Sequence, residues 1–212
     1  MANTTAPMVP PKVAARGHGA GSVGLEVRGL AAGAVRPALP RGAVRGKVTQ
    51  RPMLNTKKSK HRMMRLRSLA DLEREVDRLA ALERAGRLMY TGNWTLGQTL
   101  GHLAAWIDFF YTGFPMPKPP ALMRLVMPLF KGRFLNGTMP KGMRIPKVSG
   151  GTLGTEALTT EQGLVKFKGA LGRLKGGDVP RYPSPVLGPM TLDEVTRLTL
   201  RHAELHLGFC DG

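Results

Sequence analysis

Apolar residues recur every three or four positions in four stretches of this chain, a spacing that predicts four amphipathic α-helices. The first predicted helix begins at Ser68, which stands three residues before Asp71 as in a capping box, and it ends near Gly86. The second covers residues 95–111, and a glycine and a proline shortly after Tyr111 end it.

The third and fourth predicted helices lie near the C-terminus. The third begins near residues 159–160 and ends at Gly176. The fourth opens with a capping box formed by Thr191 and Glu194, and its apolar face continues to Phe209. Because no stretch shows the alternation of a half-buried strand, the sequence predicts an all-α fold.

The second and third predicted helices are separated by a long connection, residues 114–158, which is rich in proline and glycine. Residues 121–134 within it form a short apolar patch that is predicted to be helical, with a kink at Pro128. A bundle of two antiparallel helix pairs needs one long crossover. The prediction is therefore a four-helix bundle with its crossover between helices 2 and 3.

Residues 1–52 consist mainly of Gly, Ala, Pro, Arg and Val without any helical or alternating period. Such a segment buries too little apolar surface to offset its ordering entropy, so it is predicted to be a disordered tail before a bundle of residues 53–212. Three explanations remain open: a flexible tail, an acid-poor targeting peptide, or upstream sequence included by a wrong start codon. We favour the start-codon explanation, because Met53 opens a more coherent sequence.

The net charge of +18 is concentrated in the N-terminal third of the chain. Residues 1–67 hold 14 Lys and Arg against the single acid Glu26, whereas residues 68–212 hold 18 against 13 acids. The predicted bundle is thus only moderately basic, which argues against nucleic-acid binding as its main function. A single cysteine excludes an intrachain disulfide and fits a cytoplasmic protein, and no apolar run is long enough for a transmembrane helix.

His202 and His206 lie four residues apart on the last predicted helix. This spacing separates them by about 40° and about 6 Å of rise, so both side chains can bind one ion. His102 lies among apolar residues in the middle of the second helix and is the candidate third ligand, whereas His18 and His61 fall in the basic region. The alternatives are hydrogen-bonded structural histidines or a chance pair on a solvated face.

Three further residues are candidates for the surroundings of this site. Gln98 and Trp106 stand one turn on either side of His102, where they line a pocket or simply pack between helices. Cys210 continues the spacing of four after His206, as a ligand, a nearby thiol or a small apolar residue.

The acidic residue between the two histidines does not occupy the position that a zinc protease requires. The pattern HExxH puts a general-base glutamate directly after the first histidine. Here Glu204 stands one residue later, about 200° around the helix from His202, and should point to solvent, Arg197 or Arg201. A hydrolase that uses Glu204 as its base is therefore not predicted.

Two motifs carry a resemblance to a known family: GNWTLGQTLGHLA at residues 92–104 and RHAELHLGF at residues 201–209. Together with shorter matches at residues 54–58, 133–135, 139–142 and 187–191, they resemble the DinB-like (YfiT-type) superfamily, closest to a bacterial subfamily known only as a domain of unknown function. The resemblance covers residues 53–212 and none of residues 1–52.

The resemblance implies a four-helix bundle with a long crossover, and a metal bound by His102, His202 and His206. It implies nickel, zinc or iron as the cofactor. Characterised members of the superfamily include transferases and isomerases that use a low-molecular-weight thiol such as bacillithiol or mycothiol. Relatives often have a His-Pro dipeptide in the last loop where this chain has Ser184 and Pro185, which puts the substrate in question.

The sequence therefore favours a metal-dependent enzyme of the thiol-transferase type, in which the metal lowers the pKa of an incoming thiol. Arg201, Lys141 and Arg144 are candidates to attract an anionic substrate, or else are solvated charges. The alternative function is a non-catalytic, metal-stabilised bundle, and a homodimer is one arrangement for either. Nucleic-acid binding through residues 1–67 is the third hypothesis. The expected partner is a small-molecule substrate, with no membrane contact.

Overall fold

Four long helices supply most of the structure, a computed structural model that describes residues 54–146 and 148–212. They are α1 (Leu69–Arg84), α2 (Leu96–Thr112), α5 (Thr160–Gly176) and α6 (Leu192–Leu207). The predicted helices are confirmed in number and to within a few residues at their ends. The predicted tail, residues 1–52, lies outside the described residues.

All four long helices begin at a capping box, in which side chain and backbone of the two residues bond reciprocally. Two of these boxes, at Ser68 and Thr191, are legible in the sequence. The other two pair Thr95 with Gln98 and Thr159 with Gln162. Each box satisfies backbone N–H groups that the first turn of a helix otherwise leaves unbonded, which explains why the helices start where they do.

The four long helices share one buried core. Helix α2 packs most extensively against α5, and α6 contacts both α1 and α2. The side chains of this core that are least exposed are Leu72, Val76, Leu79, Leu96, Leu100, Phe167, Leu171, Val195, Ala203 and Leu207. Glycines let α2 and α5 approach closely, because a Cβ on Gly163 would lie 2.6 Å from the Gly97 carbonyl oxygen. The fold is thus mostly helical around a single apolar interior.

The connection between α2 and α5 contains two short helices, α3 (Ala121–Val126) and α4 (Lys131–Asn136). A 3-10 turn, Met127–Phe130, separates them, so the helix is interrupted at Pro128 as the sequence predicts. A second 3-10 turn, Ser149–Gly151, precedes α5. Helix α4 packs against α6, whereas no residue of α3 is buried.

Two short strands were not expected from the sequence. β1 (Met89–Tyr90) pairs antiparallel with β2 (Cys210–Asp211), and Tyr90 lies opposite Cys210. Strands of two residues are too short to show an alternating pattern, so periodicity cannot reveal them. Because α6 ends at Leu207, the apolar face expected to reach Phe209 stops before the strand begins. Within the described residues, no helix combines the length and the apolar character required to cross a membrane.

Residues 60–66, which we call the leading segment, run beside the C-terminal half of α6. Their hydrogen bonds join Arg62 N to Gly208 O (2.7 Å), His61 Nε2 to Leu205 O (2.9 Å) and Leu66 N to Glu204 Oε1 (2.6 Å). Lys60 also forms an ion pair of 2.7 Å with Asp211. The segment is therefore tied to the helix that carries His202 and His206.

We expect Gly208→Ala to destabilise the protein by about 1–3 kcal/mol, as overpacking of a close contact does. A Cβ on Gly208 would lie 2.2 Å from His61 Nε2 and 2.8 Å from the Arg62 carbonyl oxygen. Urea unfolding would measure the change. The matched control is Gly172→Ala in α5, where nothing lies within 4 Å of the added Cβ and the free energy of unfolding should rise by about 0.5–1 kcal/mol. Equal effects of the two substitutions would contradict the close approach.

Candidate metal centre

His102 from α2 meets His202 and His206 from α6 in the interior, as the sequence predicts. The Nε2 atoms of His102 and His202 are 3.2 Å apart, and those of His202 and His206 are 3.0 Å apart. One nitrogen from each of the three rings fits within 4.8 Å of the others. His102 is only 1% exposed, while the other two rings are partly exposed. The spacing of four on α6 and the contact of α6 with α2 therefore bring three imidazole nitrogens together.

The distances between these nitrogens match the edges of a metal coordination shell. Histidine nitrogens bind zinc at roughly 2.0–2.1 Å, so two of them at tetrahedral or octahedral angles lie roughly 2.9–3.4 Å apart. The observed 3.2 and 3.0 Å fall within that interval. The donor set consists of imidazoles alone, which suit zinc, iron and nickel.

A backbone carbonyl fixes the orientation of the His102 ring. Nδ1 of His102 donates to the carbonyl oxygen of Leu153 at 2.7 Å. Because an oxygen of this kind only accepts, the proton is on Nδ1, and Nε2 presents its lone pair toward His202. A metal-binding histidine commonly donates its other ring N–H to an oxygen, which fixes the tautomer and the orientation of the ring.

Gly154 explains how that carbonyl reaches α2. Its φ of +69° is unfavourable for other residues, and a Cβ there would lie 2.7 Å from Cβ of Ala105. The close approach of this loop brings the neighbouring Leu153 carbonyl to His102. The signal for this contact in the sequence is one glycine among many, so sequence reasoning missed it.

Two tryptophans flank the three rings. Trp94 is stacked on His206 with a centroid distance of 5.1 Å and an angle of 11°, and it lies 4.8 Å from His102. Trp106 meets His202 edge-on at 5.3 Å and lies 6.0 Å from His102. Trp106 thus lies beside the cluster. Trp94 precedes the first residue of the α2 capping box, and only its place in the family-like motif drew attention to it.

Burial keeps the three imidazoles neutral. Desolvation lowers the pKa of His102 to about 4, against a weaker opposing effect of its bond to Leu153. Desolvation also lowers the pKa of both His202 and His206 well below the ordinary value, and neighbouring histidines lower it further. At pH 7 the rings therefore carry free lone pairs, the form that binds a metal.

Gln98 and Cys210 do not join the histidines. Gln98 Oε1 accepts from the backbone N of Thr95 at 3.1 Å, so the side chain serves the helix start. Cys210 is buried in β2. Because α6 ends at Leu207, the spacing of four does not place Cys210 on the same helical face as His206. Burial raises the pKa of its thiol to about 12, and its sulfur is outside the group of candidate donors.

Glu204 turns away from the histidines, as its place on the helix requires, but it is buried rather than solvated. It accepts from Leu66 N at 2.6 Å and pairs with Arg201 at 2.9 Å. Arg201 is itself only 4% exposed, so it is not available to attract a substrate. Lys141 donates to the carbonyl of Ser59 at 3.1 Å, and Arg144 is exposed.

None of the three histidines lines the hollow beside Tyr111, the larger of two cavities. That hollow, of about 620 Å³, is lined by Tyr111, Arg173 and residues 178–181. A much smaller cavity, of about 20 Å³, includes His202 and Trp106 in its wall. The chemistry of the three histidines, rather than the size of a pocket, identifies the candidate site.

Residues 58–211 match the family model described as "Protein of unknown function (DUF1569)". No curated protein and no solved structure matches the chain. The match spans all of the described helices and the three converging histidines. The chain therefore belongs to the DUF1569 family.

Proposed function

We propose that His102, His202 and His206 bind a divalent metal ion, and that the protein is an enzyme that uses this ion to activate a low-molecular-weight thiol for transfer. The observation that carries the proposal is the convergence of three neutral imidazole nitrogens, two pairs of which lie 3.2 and 3.0 Å apart. Without an ion, His202 Nε2 lies close to both other nitrogens but carries at most one proton, so it cannot donate a separate hydrogen bond to each.

We also propose that DUF1569 is a branch of the DinB-like superfamily. In this proposal, the four long helices form its four-helix bundle and residues 114–158 are the crossover. Support comes from the ligand positions, because one histidine of α2 and an i, i+4 pair on the last helix are the set that the resemblance implies. On this basis we propose nickel, zinc or iron as the ion.

The chain's own residues fit such a centre. His102 is held by Leu153, and Trp94 lies flat against His206, so two of the three rings are oriented before any ion arrives. Three protein ligands leave at least one coordination position open, as in catalytic zinc sites. The rings of Trp94 and Trp106 cover the histidines and limit the access of water.

Thiol activation suits a site without a protein base. Among the described residues, the group of candidate metal donors contains three histidines and no carboxylate or cysteine. A bound divalent ion supplies Lewis acidity that lowers the pKa of a coordinated thiol, so the thiolate forms at neutral pH. In the proposed transfer, the thiolate sulfur would attack an electrophilic carbon and form the S–C bond as the bond from that carbon to a halide or an epoxide oxygen breaks. The halide would leave and the thiol proton would pass to solvent, whereas an epoxide oxygen would stay attached and take up a proton.

The test uses the full chain, reconstituted separately with nickel, zinc and iron and freed of excess ion. Elemental analysis should give about one ion per chain. Incubation with a small thiol and a panel of epoxides and alkyl halides should then consume the thiol faster with the loaded protein than with the metal-free protein or without protein. Consumption is followed by the decrease in free thiol and by the mass of the conjugate.

Two results would overturn parts of this proposal separately. Absence of bound ion after all three reconstitutions at neutral pH would remove its basis. A stoichiometric ion without any thiol consumption would leave the alternative, a metal-stabilised bundle in which the ion raises the melting temperature by binding only the folded state.

A further inference from the structure

The indole N–H of Trp106 is a buried hydrogen-bond donor that has no acceptor among the described residues. A donor removed from water without a partner destabilises a fold by about 1–3 kcal/mol, so nearly all such groups are bonded. The ring of Trp106 lies 5.3 Å from that of His202. An unused donor beside the candidate metal ligands indicates that its acceptor is not part of the protein.

Trp106 also lines a small cavity that has room for an acceptor. Trp106 and His202 are both in its wall, with Thr199 and apolar side chains of α2 and α6. Its volume of about 20 Å³ is enough for one water molecule or one non-hydrogen atom of a ligand. Apart from Trp106, Thr199 and His202, the wall is apolar, consisting of Leu103, Ile107, Phe110 and Leu198.

We propose that Trp106 donates its indole hydrogen bond to the ligand atom that occupies this cavity at the open position of the metal. This inference rests on the proposed function. The ligand class is a small acceptor such as a thiolate or hydroxide, because an indole N–H donates to a lone pair and forms a stronger hydrogen bond with a charged acceptor than with a neutral one. Trp106 therefore favours the thiolate over the thiol.

Azide binding to the cobalt-loaded full chain tests the proposal. The metal-bound nitrogen of azide is an acceptor, and changes in the visible cobalt spectrum report its affinity. Trp106→Phe keeps an aromatic ring and removes the donor, and should weaken azide binding about tenfold, the effect of losing one hydrogen bond. The matched control is Tyr111→Phe, which removes the donor of another aromatic side chain of α2, bonded to the Asp178 carbonyl at 3.0 Å, and should leave azide affinity within about twofold.

A second measurement avoids any dependence on the folding of the Trp106 variant. The chain has two tryptophans, so Trp94→Phe leaves a single indole. The Trp94→Phe spectrum therefore identifies the resonance of Trp106, and in the zinc-loaded, 15N-labelled parent protein azide should move that resonance downfield. Cobalt binding with equal azide affinity in the parent and Trp106→Phe proteins, or an indole resonance that azide leaves unmoved, would overturn this inference alone. Failure of the parent chain to bind cobalt or zinc would overturn the proposed function as well.

Discussion

The double variant His202→Ala, His206→Ala should bind no divalent ion under conditions in which the parent chain binds about one ion per chain. Both residues project from α6 toward His102, and their removal leaves a single imidazole at the site. One nitrogen ligand does not hold a divalent ion through dialysis, because the other coordination positions are filled by exchanging water. Elemental analysis after reconstitution measures the loss.

Melting temperatures with and without metal test the same prediction in a second way. An ion present at a thousand times its dissociation constant stabilises the parent by about 4 kcal/mol, whereas the double variant should melt at the same temperature with and without metal. The control is His61→Gln, because His61 donates to the Leu205 carbonyl and is not one of the converging ligands. A stoichiometric ion in a folded double variant would show that the three-histidine site is wrong.

The second large effect concerns stability. We expect Glu204→Gln to reduce the free energy of unfolding by about 3–5 kcal/mol, as the loss of one partner of a buried ion pair does. The Arg201 side chain is 5% exposed and lies 2.9 Å from the Glu204 carboxylate. Its Nε has no hydrogen-bond partner within residues 54–146 and 148–212, so removal of the carboxylate charge leaves a buried guanidinium poorly compensated. Urea unfolding at pH 7 measures the change.

Helix α6 offers a matched control for this substitution. Asp193 and Arg197 form an ion pair of 2.6 Å on the same helix, but their side chains are 73% and 44% exposed. Asp193→Asn should therefore change stability by less than about 1 kcal/mol, because exposed pairs contribute little. If both substitutions had the same small effect, the burial of the Arg201–Glu204 pair would be unimportant for the fold.

Much of the helical framework was predictable because its causes are local. The apolar period and the capping box at Ser68 or Thr191 are carried by residues within one turn of each other. The convergence of the three histidines was predictable for the same reason in part, since the spacing of His202 and His206 fixes their common face. The assignment of His102 depended on its place in an apolar helix and on the family resemblance.

What was missed depends on contacts between distant parts of the chain. The acceptor that orients His102 is the backbone of Leu153, 51 residues away, and a carbonyl has no signature in the sequence. Burial of Glu204 arises from the approach of Leu66, which no pattern on α6 reveals. Gln98 is predicted either to line a pocket or to pack between helices, and its hydrogen bond to Thr95 in the capping box was not foreseen. Position along a helix identifies a face but not the partner that a side chain meets there.

The leading segment also has a consequence for the order in which the protein is completed during synthesis. Its partners on and after α6 are 135–151 residues further along the chain. At about 5–20 residues per second, ribosomes need about 7–30 s to make that length. Residues 60–66 therefore remain undocked until α6 has emerged, and the same helix brings His202 and His206. Docking of the leading segment on α6 and assembly of the histidine cluster therefore take place together, late in synthesis.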